Sequence, residues 1–229
     1  MTTPTPPPAL AKTSSVQGVA LRVTRLAANG KAVPGVDNAY TMNRFVTVTF
    51  TPVYDGANTI QQQLANGNFA VTYQTSDVFQ RIEASIQIAG PDPEFNEIAM
   101  GGTILRDDDD TAVGWAPTAT GEIDQPNGVA LEVWSYAISG GRQAVIRPFY
   151  HWMFPRLFLH PSDDSTLEND VLAWNATGWG NDNPAFAGTG VDRGAAGWAW
   201  DTDRPYQYAR VASAPINVNA YEVVPPLTP

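Results

Sequence analysis

The chain has 229 residues, 43% of them hydrophobic and 10% aromatic, enough to bury a sizeable core without covalent staples. It has no cysteine, which excludes disulfides and thiolate metal sites, and its formal net charge of −10 with only 13 Lys and Arg argues against adhesive binding to a nucleic-acid backbone. The 19 prolines and 19 glycines favour short strands and long loops over packed helices, and one elaborated domain is expected.

Residues 1–15 are rich in Pro and Thr and too polar to pack, which predicts an extended arm ahead of the domain. This start lacks the basic segment and apolar run of a secretory signal, and no apolar stretch approaches the length of a membrane span. Synthesis in a reducing cytoplasm is therefore expected. The domain begins near Val16, where Val19, Leu21 and Val23 alternate with Ala20, Arg22 and Thr24 in the pattern of a half-buried strand, and Asn29-Gly30 signals a turn.

Residues 44–53 repeat the device, with Val46, Val48 and Phe50 opposite a wet row of Thr47, Thr49 and Thr51. The polar stretch 54–68 follows, before Phe69-Ala-Val-Thr-Tyr73. If the flanking strands pair, it forms the long tip of a hairpin, and a tip of that length is expected to be functional. Along residues 81–88, Ile82, Ala84, Ile86 and Ile88 alternate strictly with Arg81, Glu83, Ser85 and Gln87, so this strand has one dry and one wet face. Gly90-Pro91 stops it. Asp92-Pro93-Glu94 then starts a short helix near 92–100, with Asp92 as the cap, Phe95, Ile98 and Ala99 on one face and Gly101-Gly102 as the stop.

Asp107 to Asp110 could suggest a cation. Four consecutive carboxylates cannot all face one ion, however, and the spaced ligands and glycine of a calcium loop are missing, so a solvated turn is the reading. Residues 128–138 form the next strand, turned by Ser139-Gly140-Gly141-Arg142 into the nearly continuous aromatic run 144–160. There Pro148 and Pro155, lacking amide donors, should produce edges or bulges. Beyond Leu172 the chain is irregular and rich in Gly and Trp.

No catalytic constellation emerges, and an enzyme is not expected. His151 and His160 are the only histidines, in no metal-ligand spacing, and the chain has neither a nucleophile elbow nor a phosphate loop. No cofactor or metal is implied. The tryptophans would suit a sugar platform or a protein interface equally.

Several stretches resemble the major tail proteins of long-tailed phages of actinobacteria. They are residues 24–35 (Thr-Arg-Leu-Ala-Ala-Asn-Gly-Lys-Ala-Val-Pro-Gly), 91–102 (Pro-Asp-Pro-Glu-Phe-Asn-Glu-Ile-Ala-Met-Gly-Gly), 129–135 (Val-Ala-Leu-Glu-Val-Trp-Ser), 152–156 (Trp-Met-Phe-Pro-Arg), 166–169 (Thr-Leu-Glu-Asn), 178–180 (Gly-Trp-Gly) and 203–210 (Asp-Arg-Pro-Tyr-Gln-Tyr-Ala-Arg). The likeness runs from about Val16 to Arg210. It implies a mainly β tail-tube fold, two packed sheets as a sandwich or barrel with one flanking helix. It divides the chain into an arm (1–15), the tail-tube domain (16–211) and a C-terminal extension (212–229).

The same resemblance implies a virion protein of the tail, made in the host cytoplasm. It would polymerise as stacked hexameric rings into the tube through which DNA is ejected, with itself and other tail proteins as partners, DNA passing without tight binding and no membrane involved. On that reading Thr47, Thr49, Thr51, Glu83, Ser85 and Gln87 face the lumen. Asp55, Asn58, Gln61, Gln62, Gln63 and Asn66 lie in the loop between rings, and Trp198 and Trp200 anchor subunit interfaces. A capsid decoration or head-tail joining protein, and a carbohydrate-binding β-sandwich, are the alternatives.

Overall fold

The computed structural model describes residues 12–56, 59–123, 125–162, 174–186, 201 and 203–225. The chain is mainly β and antiparallel, with one short helix. Its strands are β1 (Ser14–Arg25), β2 (Gly35–Met42), β3 (Phe45–Asp55), β4 (Thr59–Gln63), β5 (Phe69–Gln74), β6 (Val78–Ile88), β7 (Thr103–Arg106), β8 (Ala112–Ala116), β9 (Val129–Ser139), β10 (Arg142–Gln143), β11 (Phe149–Pro161), β12 (Trp174–Gly180), β13 (Gln207–Val211) and β14 (Ala220–Val224). Helix α1 (Pro93–Met100) follows β6.

The principal sheet runs β14-β2-β1-β9-β11-β12-β6-β3, with β10 beside β9 and β13 beside β11, while β4-β5 and β7-β8 are separate ribbons. Tyr40 and Met42 of β2 share one core cluster with Ile82, Ile86 and Ile88 of β6, although a flat sheet would hold those strands about 24 Å apart. The sheet therefore bends over itself, and the two layers of the sandwich come from one sheet. It curls far enough that a Cβ at Gly18 of β1 would run into the Phe45 ring of β3. No ladder joins β3 to β1, so the barrel stays open.

Helix α1 plugs this core with Phe95, Ile98, Ala99 and Met100. Asp92 caps it: its Oδ1 accepts from the Phe95 amide at 3.0 Å and its Oδ2 from the Tyr40 hydroxyl at 3.2 Å. At the other end the Gln125 amide donates to the carbonyls of Glu97 and Ile98, and Trp115 Nε1 donates to Gly101 at 2.7 Å.

Two sequence expectations change here. The partner of β3 is β6, not residues 69–73, and residues 59–63 are a strand rather than part of a loop. In addition, β1 is not half-wet: Ala20, Arg22 and Thr24 are as buried as Leu21 and Val23. A second apolar layer covers that side, in which Ala20, Trp134 and Val211 pack with Ala214 and Val218, and Leu26, Ala39, Ala130 and Met153 with Phe186 and Val224. Residues 212–225 supply part of this cover, since β14 extends the sheet beyond β2.

Pro155 falls where β11 exchanges partners, since along β11 the pairing with β13 stops at Met153, the pairing with β12 starts at Leu157, and the register with β9 shifts between Phe154 and Leu157. A residue with no amide donor is tolerated at such a break. The Gly-Trp-Gly run has an equally local cause. Cβ atoms at Gly178 and Gly180 would strike the β11 carbonyls of Phe158 and Arg156, so only glycine lets β12 lie this close.

Candidate functional site

The alternation in β3 and β6 becomes a surface once their register is known. Thr47 stands opposite Gln87, Thr49 opposite Ser85 and Thr51 opposite Glu83. The pairing of β12 with β6 extends these rows through Asn175, Thr177 and Trp179, and β11 ends two of them with His160 and Phe158. All six residues expected on the wet face therefore lie on one side of the sheet, and Ile82, Ala84, Ile86 and Ile88 are buried on the other. A concavity of about 650 Å³ runs along this face between Thr49, Thr51, Glu83, Ser85, Thr177 and Trp179.

The face is polar but close to neutral. Glu83 pairs with Arg81 at 2.8 Å, both side chains about half exposed, and hydroxyls and amides supply most of the remainder. The acidity of the chain is thus not concentrated here. The run Asp107 to Asp110 instead forms the exposed turn of the β7-β8 ribbon, where Asp107 Oδ1 accepts from the amides of Asp109 and Thr111. Trp179, Thr177 and His160 belong to the face although sequence reasoning passed over them. The register of β12 on β6 is non-local, and the one local signal is a tryptophan set between two glycines.

The strands β3 and β6 continue outward into the β4-β5 hairpin, whose residues are all exposed. Ile60 pairs with Tyr73 and Gln62 with Val71, so Ile60, Val71, Tyr73 and the adjacent Phe69 form an apolar face, each side chain between 48% and 59% exposed. Of the residues assigned to the loop between rings, Gln61, Gln62 and Gln63 lie on β4, Asn66 in its turn and Asp55 at the end of β3, while Asn58 lies outside the described residues. The apolar residues Ile60, Phe69, Val71 and Tyr73, not the glutamines alone, give the hairpin its character. Trp198 and Trp200 also lie outside the described residues.

A third constellation lies inside the sheet. The Arg22 guanidinium grips the Glu132 carboxylate at 2.8 Å and reaches Glu222 of β14 at 3.0 Å, and His151 Nε2 lies 2.9 Å from Glu132 Oε2. Trp134 covers both Arg22, 5.0 Å from its ring, and His151, stacked at 4.3 Å. Burial alone would raise the Glu132 carboxyl, but Arg22 and His151 outweigh it and hold the group at about 2. Arg22, Glu132 and His151 are sealed from solvent, so the network ties β1, β9, β11 and β14 together and presents nothing to a substrate.

No family model matches the chain, and no curated protein matches it. Among solved structures it is similar to the anti-feeding prophage cap, the AFP tube terminating cap determined by cryo-EM, with 11% identity, TM-score 0.32, and coverage of 83% of this chain and 88% of that one. A likeness at that level adds nothing to what the strands themselves establish.

Proposed function

We propose that the chain is a structural protein of a phage virion that polymerises as stacked hexameric rings into the tail tube, the conduit for DNA, with no catalytic activity of its own. The observation that carries this reading is the in-register polar face of β3, β6 and β12. It is wide, concave and uncharged on balance, and it is backed by a fully apolar layer. A duplex sliding past such a wall meets hydroxyls and amides that do not hold phosphates, because adhesion needs unpaired cations and Arg81 is matched by Glu83.

The projecting β4-β5 hairpin supports the same reading, since its amphipathic ribbon suits a contact with the next ring. So does the resemblance of residues 16–210 to actinobacteriophage major tail proteins. Negative-stain microscopy of the concentrated pure protein tests the proposal: rings and tubes are expected, and a monodisperse monomer at every concentration would sink it.

One observation favours a second reading, carbohydrate binding. Trp179 is 45% exposed on the same face, backed by Phe158 with ring centroids 4.6 Å apart and set beside Glu83 and Thr51, an arrangement that suits the flat side of a sugar. A glycan array separates the two, because a tube subunit should bind no saccharide on it.

A further inference from the structure

Charge is divided between the two ends of β1. At its start Ser14 pairs with Ile138 of β9, which pairs on its other side with Gln143 of β10, and residues 144–148 lead from there to β11. Arg210 of β13 braces this end by donating to the carbonyls of Ile146 and Arg147. Lys12 and Arg142 are exposed here, and Arg147 and Arg210 are half-buried. The stretches that build this end, residues 12–24, 133–162 and 204–221, contain no Asp or Glu, although the chain as a whole carries −10. Neighbouring strands hold the four cations within roughly 20 Å of one another. Among them Val145 stands 97% exposed, with Ile146 exposed beside it.

The opposite end of β1 leads to the opposite charge. Arg25 pairs there with Glu97 of α1 at 3.3 Å, and Trp115 of β8 is tied to Gly101 just beyond the helix, so the β7-β8 ribbon starts at this end. Its turn exposes Asp107 to Asp110. Arg106 reaches Asp110 at 3.6 Å, and Asp108 and Asp109 have no ion pair among the described residues. Leu105 and Val113 stand exposed beside the turn.

The two surfaces are therefore opposite in sign, and each carries an exposed apolar pair. One chain cannot bring them together. The eleven residue steps of β1 span roughly 35 Å, and the four-residue β7 could return only about 13 Å of that. Contact takes a second copy. Because it joins unlike ends it is head-to-tail, a kind of contact that repeats in one direction or closes into a ring rather than stopping at a pair.

We propose that the basic end formed by Lys12, Arg142, Arg147 and Arg210 receives the Asp107–Asp110 turn of a second copy of this chain. This rests on the reading that the protein assembles with itself, and it gives that assembly a direction.

The natural absence of cysteine makes the test direct. Full-length Thr111→Cys protein is mixed with full-length Gln143→Cys protein and oxidised, both positions being exposed and uncharged. Disulfide-linked dimers should fall about tenfold when Asp108→Lys and Asp109→Lys are added to the Thr111→Cys partner, and should return when Lys12→Glu and Arg142→Glu are then added to the Gln143→Cys partner. A yield that the first reversal leaves unchanged overturns the proposal, as does a loss that the second reversal fails to restore. Retardation of a duplex oligonucleotide, abolished by Lys12→Glu and Arg142→Glu while the cross-link yield stays the same, would assign the basic end to nucleic acid and overturn it too. Microscopy of the wild type keeps the two readings apart. Tubes from a protein whose cross-link ignores charge refute the docking alone, whereas a charge-dependent cross-link without rings or tubes supports the docking and refutes the tube.

Discussion

His151 lies flat against Trp134, ring centroids 4.3 Å apart and planes 9° from parallel, while its Nε2 faces the Glu132 carboxylate that Arg22 grips from β1. Because the folded-state pKa of Glu132, about 2, is depressed below its usual 4.5, the stability it contributes is complete above about 4.5 and is lost as pH falls toward 2. Acid unfolding of the wild type should steepen in that window. Glu132→Gln should flatten this part of the profile, and Glu132→Ala, which leaves Arg22 buried beside a void, should cost on the order of 3–5 kcal/mol in denaturant melts at neutral pH. A Glu132→Gln profile matching the wild type between pH 2 and 4.5 would remove Glu132 from the account.

Trp134 is fully buried between two layers, so Trp134→Ala should cost roughly 3–5 kcal/mol through the cavity it leaves. Trp152 is only partly buried, and Trp152→Ala should cost less. Gly178→Ala removes no contact yet should destabilise as well, because its methyl would strike the Phe158 carbonyl and push β12 off β11. Equal melting midpoints for Trp134→Ala and Trp152→Ala would mean that the second layer is not packed as described.

Strand β6 and helix α1 were legible because their causes are local. Strict alternation selects the buried side of β6, and Asp92, Pro93 and Gly101 bound the helix without help from the fold. Strand β1 was not, since its alternation suggests a wet row where the fold supplies a second cover. The cue was Glu132, a lone carboxylate inside Val-Ala-Leu-Glu-Val-Trp, which implied a buried partner without naming Arg22. The partners of β3 and β12 were hidden for another reason. Their registers join residues far apart in the chain, and no short-range pattern encodes such a pairing. The candidate face was therefore half legible: its Thr and Glu-Ser-Gln rows follow from parity, whereas Trp179 and His160 join it only through the fold.

The β4-β5 hairpin should matter to assembly and not to folding. Val71→Asp and Tyr73→Asp together place charges on its exposed apolar face, so the melting temperature of the monomer should hardly move, with a change within about 0.5 kcal/mol. Polymerisation, followed by light scattering, should fall sharply, because each charge would have to be buried in any contact made by that face. Tubes of normal length from the double variant would show that another surface stacks the rings.

Glu83 provides the sharpest test of the channel. It is half exposed and pairs with the equally exposed Arg81, a pair worth about 0–1 kcal/mol, so Glu83→Lys should fold and melt nearly as the wild type does. The substitution turns a matched pair into two adjacent cations on the face formed by Thr47, Thr49, Thr51, Ser85 and Gln87. Repeated around a ring and along a tube, those cations would line the channel and hold passing phosphates. Virions carrying Glu83→Lys should assemble tails of normal length and eject DNA slowly or stall, with the defect easing as salt screens the contacts. Ejection at the wild-type rate would place the face elsewhere, as would a Glu83→Cys thiol that reacts with a bulky reagent from outside an intact tube.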